Sequence, residues 1–106
     1  MDRPDFATIA VKIFHSLQNV GITVDGVILF CSHARNEATE ASDIDLAILS
    51  RQFGKDRISE GALVNIHAHR AHPKAEAIPL TPSEWLGRGF VSPVVHEIKK
   101  DGIFII

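Results

Sequence analysis

Two aspartates one residue apart, at the head of an apolar run, limit what this chain can build. Asp43 and Asp45 bracket Ile44, and Leu46-Ala47-Ile48-Leu49 follow. A run of this kind reads as a strand, about Asp43 to Ser50. On a strand, residues i and i+2 share a face. Asp43 and Asp45 then project together, while Ile44, Leu46 and Ile48 point the other way into a core. Like charges side by side repel on a half-buried strand. A divalent cation removes the repulsion, and hard cations such as magnesium take carboxylate oxygens and substrate phosphates. The plain alternative is a pair of solvated strand residues.

Composition narrows the class. A chain of 106 residues reads as one domain, 1–106, able to bury a core without disulfides. Hydrophobic residues make up 45% and charged residues 23%, ordinary proportions for a globular protein. The net charge of −2 argues against general nucleic-acid binding, which calls for a basic stripe. One cysteine excludes an internal disulfide framework and fits a reducing cytoplasm, the expected location. Neither a signal pattern nor a membrane-length apolar run is present, so no membrane association is expected.

Strands and helices alternate along the chain. Ile9, Ile13, Phe14 and Leu17 predict a helix over about Phe6 to Val20, with Asp5 as its cap and Asn19 to Gly21 as its stop. Val24 to Phe30 predicts a strand that turns at Cys31-Ser32 into a short helix ending near Asn36, before a loop over Glu37 to Ala41. Ile58, Ala62, Leu63 and Ile66 predict a helix from Arg57 to about Ala71, ended by Pro73. Lys74 to Leu80 reads as a weaker strand, placed at an edge or strand end by Pro79. Thr81-Pro82-Ser83-Glu84 is a helix start, with Gly87 and Gly89 ending that turn. Ser92-Pro93 starts another helix, Asp101-Gly102 ends it, and Ile103 to Ile106 is a last strand. The expected fold is α/β (α+β), a mixed sheet with helices packed mainly on one face.

Cys31-Ser32-His33-Ala34-Arg35-Asn36, then Ser42-Asp43-Ile44-Asp45-Leu46, forms a long motif. It resembles the nucleotidyltransferase superfamily that includes DNA polymerase β, and within it the minimal nucleotidyltransferases of bacteria and archaea. The family pattern is Gly-Ser-x-Ala-Arg-Gly, a short loop, then Ser-Asp-x-Asp-Leu. Here Cys31 and Asn36 replace the two glycines. The likeness runs from about Val24 onward and is strongest through Leu49.

The resemblance implies a nucleotidyltransferase-like fold and a two-magnesium site on Asp43 and Asp45. Paired divalent ions neutralise phosphate oxygens and align attacking and leaving oxygens. A third carboxylate on a later strand is implied; Glu76 is the candidate, completing the metal site and helping to deprotonate the acceptor hydroxyl. Glu84 is a rival already explained as a cap. Cys31, Ser32, Arg35 and Ser42 stand at the motif's nucleotide-binding positions. Ser32 keeps the phosphate-binding hydroxyl, and cysteine at position 31 adds a Cβ where backbone meets phosphate. Arg35 reads equally as a phosphate contact or as a structural ion pair.

The implied activity is transfer of a nucleotidyl group, AMP from ATP or the equivalent from another nucleoside triphosphate, to a hydroxyl of a partner protein or small molecule. A second implied role is that of a catalytically weakened antitoxin paired with a helical HEPN-family toxin. Self-association is left open. Other signals read more simply. A nucleophilic Cys31 with His33 is weighed against mere sequence proximity. His69 and His72 lack the glutamate of a zinc-protease motif and read as a solvated helix end. Trp85 reads as a packing anchor, and Lys99-Lys100 as a complement to a helix dipole.

Overall fold

A computed structural model describes residues 4–87 and 92–106. Gly89, expected to help end a turn, lies outside the described residues. The first helix, α1 (Phe6–Asn19), starts where Asp5 accepts the backbone N–H of Thr8 at 3.0 Å. Its apolar positions Ile9, Ala10, Ile13 and Leu17 are buried. Strand β1 (Gly26–Phe30) follows, then a single helical turn α2 (Cys31–Ala34) and strand β2 (Ile44–Leu49). The helix α3 (Arg57–Ala71) is capped by Asp56, which accepts from Ser59 N–H at 3.2 Å. Strand β3 (Ala75–Leu80) leads to α4 (Pro82–Leu86), entered through a full capping box between Thr81 and Glu84. Helix α5 (Pro93–Asp101), capped by Ser92, and the short strand β4 (Ile103–Phe104) close the chain.

The sheet order is β3-β2-β1-β4. β1 runs antiparallel to β2 and β4, and β2 runs parallel to β3. The parallel pair requires a long crossover, which α3 supplies. Strand β3 is an edge, one of the two positions that Pro79 suggests. Its outer side is not bare. Asn65 on α3 accepts from Ala77 N–H at 2.9 Å and donates to Ala77 C=O at 2.6 Å. Backbone groups two residues apart face the same side, so the N–H that Pro79 lacks belongs to this outer row. Sequence reading gave Asn65 no role; its amide blunts the open edge.

The pleat sorts the core into two layers. Val27, Leu29, Ile44, Leu46, Ile48, Ala75 and Ala77 pack against α1 and α3. Ile28, Phe30, Ala47, Leu49 and Leu80 pack against Val95 and Ile98 of α5, with Trp85 alongside. The two long helices thus share one face, and short α5 covers part of the other. Full burial of one aliphatic side chain contributes roughly 1.5–3 kcal/mol, so both layers stabilise the sheet. Strand β2 starts one residue later than expected, at Ile44, leaving Asp43 just ahead of it. Trp85 meets Phe104 edge-on, with ring centroids 5.2 Å apart, consistent with a packing anchor.

Among the described residues, no helix is long and apolar enough to cross a membrane.

Candidate functional site

The sheet topology gathers one end of three strands. β1 ends at Phe30 where β2 begins, since Phe30 pairs with Asp45. β3 begins at the same end, since Asp45 pairs with Glu76 in parallel register. Paired residues on neighbouring strands share a face. Glu76 therefore stands one strand over from Asp45, on the α5 side of the sheet. The chain leaves β1 into Cys31-Ser32 at this same end. Strand pairing sets Asp45 beside Glu76, and Cys31 and Asp43 adjoin the paired ends along the chain.

The electrostatics of the site follow from this arrangement. Desolvation raises the Asp45 carboxyl above its ordinary range, and the nearby charges of Glu76 and then Asp43 raise it further. The Cys31 thiol beside it works in the opposite direction. Half-buried Asp45 thus feels two exposed carboxylates, Asp43 and Glu76, at one end of the sheet. All offer oxygen, the donor hard cations prefer. Among the described residues, no three His, Cys, Asp or Glu side chains close into a ready-made metal cluster. The donors are of the type magnesium takes, one or two carboxylates with water and substrate phosphate completing the shell, and Asp45 and Glu76 are the pair that strand register brings together.

Cys31 and Asn36 hold positive φ angles of 60° and 58°. They are the only non-glycine residues with positive φ among those described. These are the two positions where the family pattern has glycine, so the chain keeps the glycine backbone without the glycines. Asparagine tolerates this left-handed region, while cysteine there is strained. The Cys31 thiol is raised above its ordinary range by burial, then by the charge of Asp45, with Glu97 and Asp101 adding to the effect and Arg35 opposing it. A thiol so placed stays protonated near neutral pH, which speaks against the nucleophile reading.

The remaining motif residues are placed as follows. Arg35, the residue after α2, donates to Glu37 and to Asp101 of α5, both at 3.1 Å. It ties the motif loop to α5, the structural ion pair expected as one of its two readings. Ser32 is half-buried in α2. Ser42 accepts from Thr39 N–H at 2.9 Å and lines a cavity of about 420 Å³ with His33, Thr39, Glu40, Ile44 and Lys74. Neither Asp43 nor Asp45 lines that cavity. Glu84 accepts from Thr81 N–H and pairs with Arg57 at 2.6 Å, so its bonds are structural. His69 is exposed on α3, and His72 Nδ1 accepts from Lys74 N–H at 3.0 Å.

Sequence reading missed the contribution of α5. Glu97 and Asp101 deepen the negative field around Cys31, and Asp101 anchors Arg35. No spacing along the chain signals this, because the helix reaches the site through tertiary packing in the Ile28 and Phe30 layer and through the Arg35–Asp101 ion pair.

The nucleotidyltransferase domain family matches residues 9–86, most of the chain. The chain belongs to the nucleotidyltransferase domain family. The match reaches back to Ile9, so α1 belongs to the family unit, beyond the likeness expected from Val24 onward. A solved structure of a candidate nucleotidyltransferase from Sulfolobus solfataricus is similar in fold, with a TM-score of 0.61 and 17% identity. The similarity covers 92% of this chain and 77% of that one. No curated protein sequence matches the chain. The nucleotidyltransferase domain thus carries its motif carboxylates at one sheet end, with the motif loop folded beside them.

Proposed function

We propose that this domain binds a nucleoside triphosphate, ATP in the first instance, with magnesium and transfers its nucleotidyl group to a hydroxyl. The single observation that carries this reading is the pairing of Asp45 with Glu76, beside the loop that starts at Cys31. Magnesium, when bound, would supply charge neutralisation at the phosphate oxygens and align the attacking and leaving oxygens. Asp43 and Asp45 would hold it, and Glu76 would complete the set. Ser32 would donate its hydroxyl to the triphosphate. Glu76 would draw the proton from the acceptor hydroxyl. The hydroxyl oxygen then forms its bond to the α-phosphorus as the bond to the bridging oxygen breaks, and pyrophosphate leaves. The acceptor hydroxyl would come from a partner protein or a small molecule.

A second reading is favoured by one feature, the strained Cys31 with its protonated thiol against Asp45. Its Cβ and sulfur stand where the family pattern leaves room for phosphate. A weakened domain that keeps its fold and a partner surface would serve as the antitoxin of a HEPN-family toxin. A neighbouring gene for a small helical protein with an Arg-x-x-x-x-His motif would favour this pairing.

Isothermal titration of ATP with magnesium decides between them. Tight, magnesium-dependent binding by the natural chain, lost in Asp45→Asn, supports the enzyme. No binding by the natural chain and recovery in Cys31→Gly supports the weakened module. Absence of binding in both forms would refute this account of Cys31.

A further inference from the structure

On the far side of the sheet from Asp45, α1 and α3 lie against each other and leave a small open pocket. It holds about 240 Å³ and is lined by Lys12, Ser16, His67, Arg70 and Ala71. Lys12 and Ser16 are four apart on α1, and His67 and Arg70 three apart on α3, so each pair shares a helix face. Ser16 Oγ and His67 Nδ1 are hydrogen-bonded to each other across the two helices. His67 is buried, Ser16 is half-buried, and Lys12 and Arg70 are exposed. No carboxylate lines the pocket, and among the described residues neither Lys12 nor Arg70 forms an ion pair. Two cations face one small pocket in a chain whose net charge is negative.

We infer that this pocket is a binding site for a phosphate group, separate from the nucleotidyltransferase site. Its volume is below the roughly 300–1,000 Å³ of pockets that enclose drug-sized ligands, so it suits a small oxyanion with a few waters. Lys12 and Arg70 supply charge from opposite helices, and the Arg70 guanidinium offers a planar pair of donors matched to phosphate oxygens. When the neutral imidazole of His67 donates from Nδ1 to Ser16 Oγ, the Ser16 hydroxyl proton is free for the anion. Burial and the nearby Arg70 both favour a neutral His67, which agrees with that arrangement.

The test is a ¹⁵N–¹H NMR titration with inorganic phosphate, with chloride at matched ionic strength as the control. The expected result is saturable shifts centred on Ser16, His67 and Arg70, seen with phosphate and not with chloride. The double variant Lys12→Gln/Arg70→Gln should weaken that binding about tenfold or more, with its spectrum otherwise native. A parallel titration with AMP separates the sources of the group. Tighter shifts with AMP at these residues assign a phosphomonoester, and weaker ones assign the free ion. Shifts confined to the Cys31–Asn36 loop, equal shifts with chloride, or full affinity in the double variant would overturn the inference.

Discussion

Cys31 concentrates the conflict of this domain in one side chain. Its positive φ satisfies the backbone path of the motif, which glycine would follow without strain. The left-handed region costs a non-glycine residue roughly 1–2 kcal/mol. Cys31→Gly relieves that strain, although it also loses the partial packing of the side chain against the α5 layer. It should therefore stabilise the fold by a net of about 1 kcal/mol or less in urea denaturation. A loss of stability instead would show that the thiol packs more favourably than its backbone is strained. Asn36, in the same region, offers a control: Asn36→Gly should change stability by only a few tenths of a kcal/mol, because asparagine already tolerates this conformation. The residue letters announced both substitutions. That the backbone would keep the glycine conformation was not legible, since φ is decided by the loop's closure onto α5 and not by residue 31 itself.

Among the elements, β3 depends on a partner it does not hydrogen-bond through a ladder. Asn65 reaches from α3 and satisfies both backbone groups of Ala77. Asn65→Ala would leave a part-buried N–H and C=O without these bonds, which costs about 1–3 kcal/mol. The expected outcome is a lower urea midpoint together with faster amide exchange at Ala77. Because β3 carries Glu76, the same change should also weaken magnesium-dependent ATP binding without touching the site directly. The helix spans were largely legible, since Asp5, Thr81 and Ser92 all cap where their residue types predict. The Asn65 clamp was not, because a mid-helix asparagine has no local signature of what it will meet 12 residues later in sequence.

At the scale of the whole molecule, α1 and α3 form one layer joined by Ser16 and His67. Burial, and then the charge of Arg70, hold the His67 pKa below its ordinary value, and Lys12 faces the same pocket from α1. The unfolded chain therefore binds more protons than the folded one around that ordinary value. The stability this residue contributes is complete above the unfolded imidazole pKa and is lost as pH falls through it toward the folded pKa. Urea denaturation at pH 7.5 and pH 5.5 should show the natural chain losing more stability on acidification than His67→Gln does. Equal losses in both chains would mean that His67 is not held neutral by the fold.

The sequence by itself determined the alternation of strands and helices, the caps and the acidic motif, because these follow from propensity, periodicity and short-range chemistry. It also carried the family likeness, which is written in consecutive residues. Tertiary structure alone decided that Asp45 would lie beside Glu76, that α5 would bring Glu97 and Asp101 to Cys31, and that Lys12 and Arg70 would face one pocket. Those neighbours are set by strand register and helix packing. Register and packing are properties of how two buried faces fit together, and no single stretch of chain contains both faces.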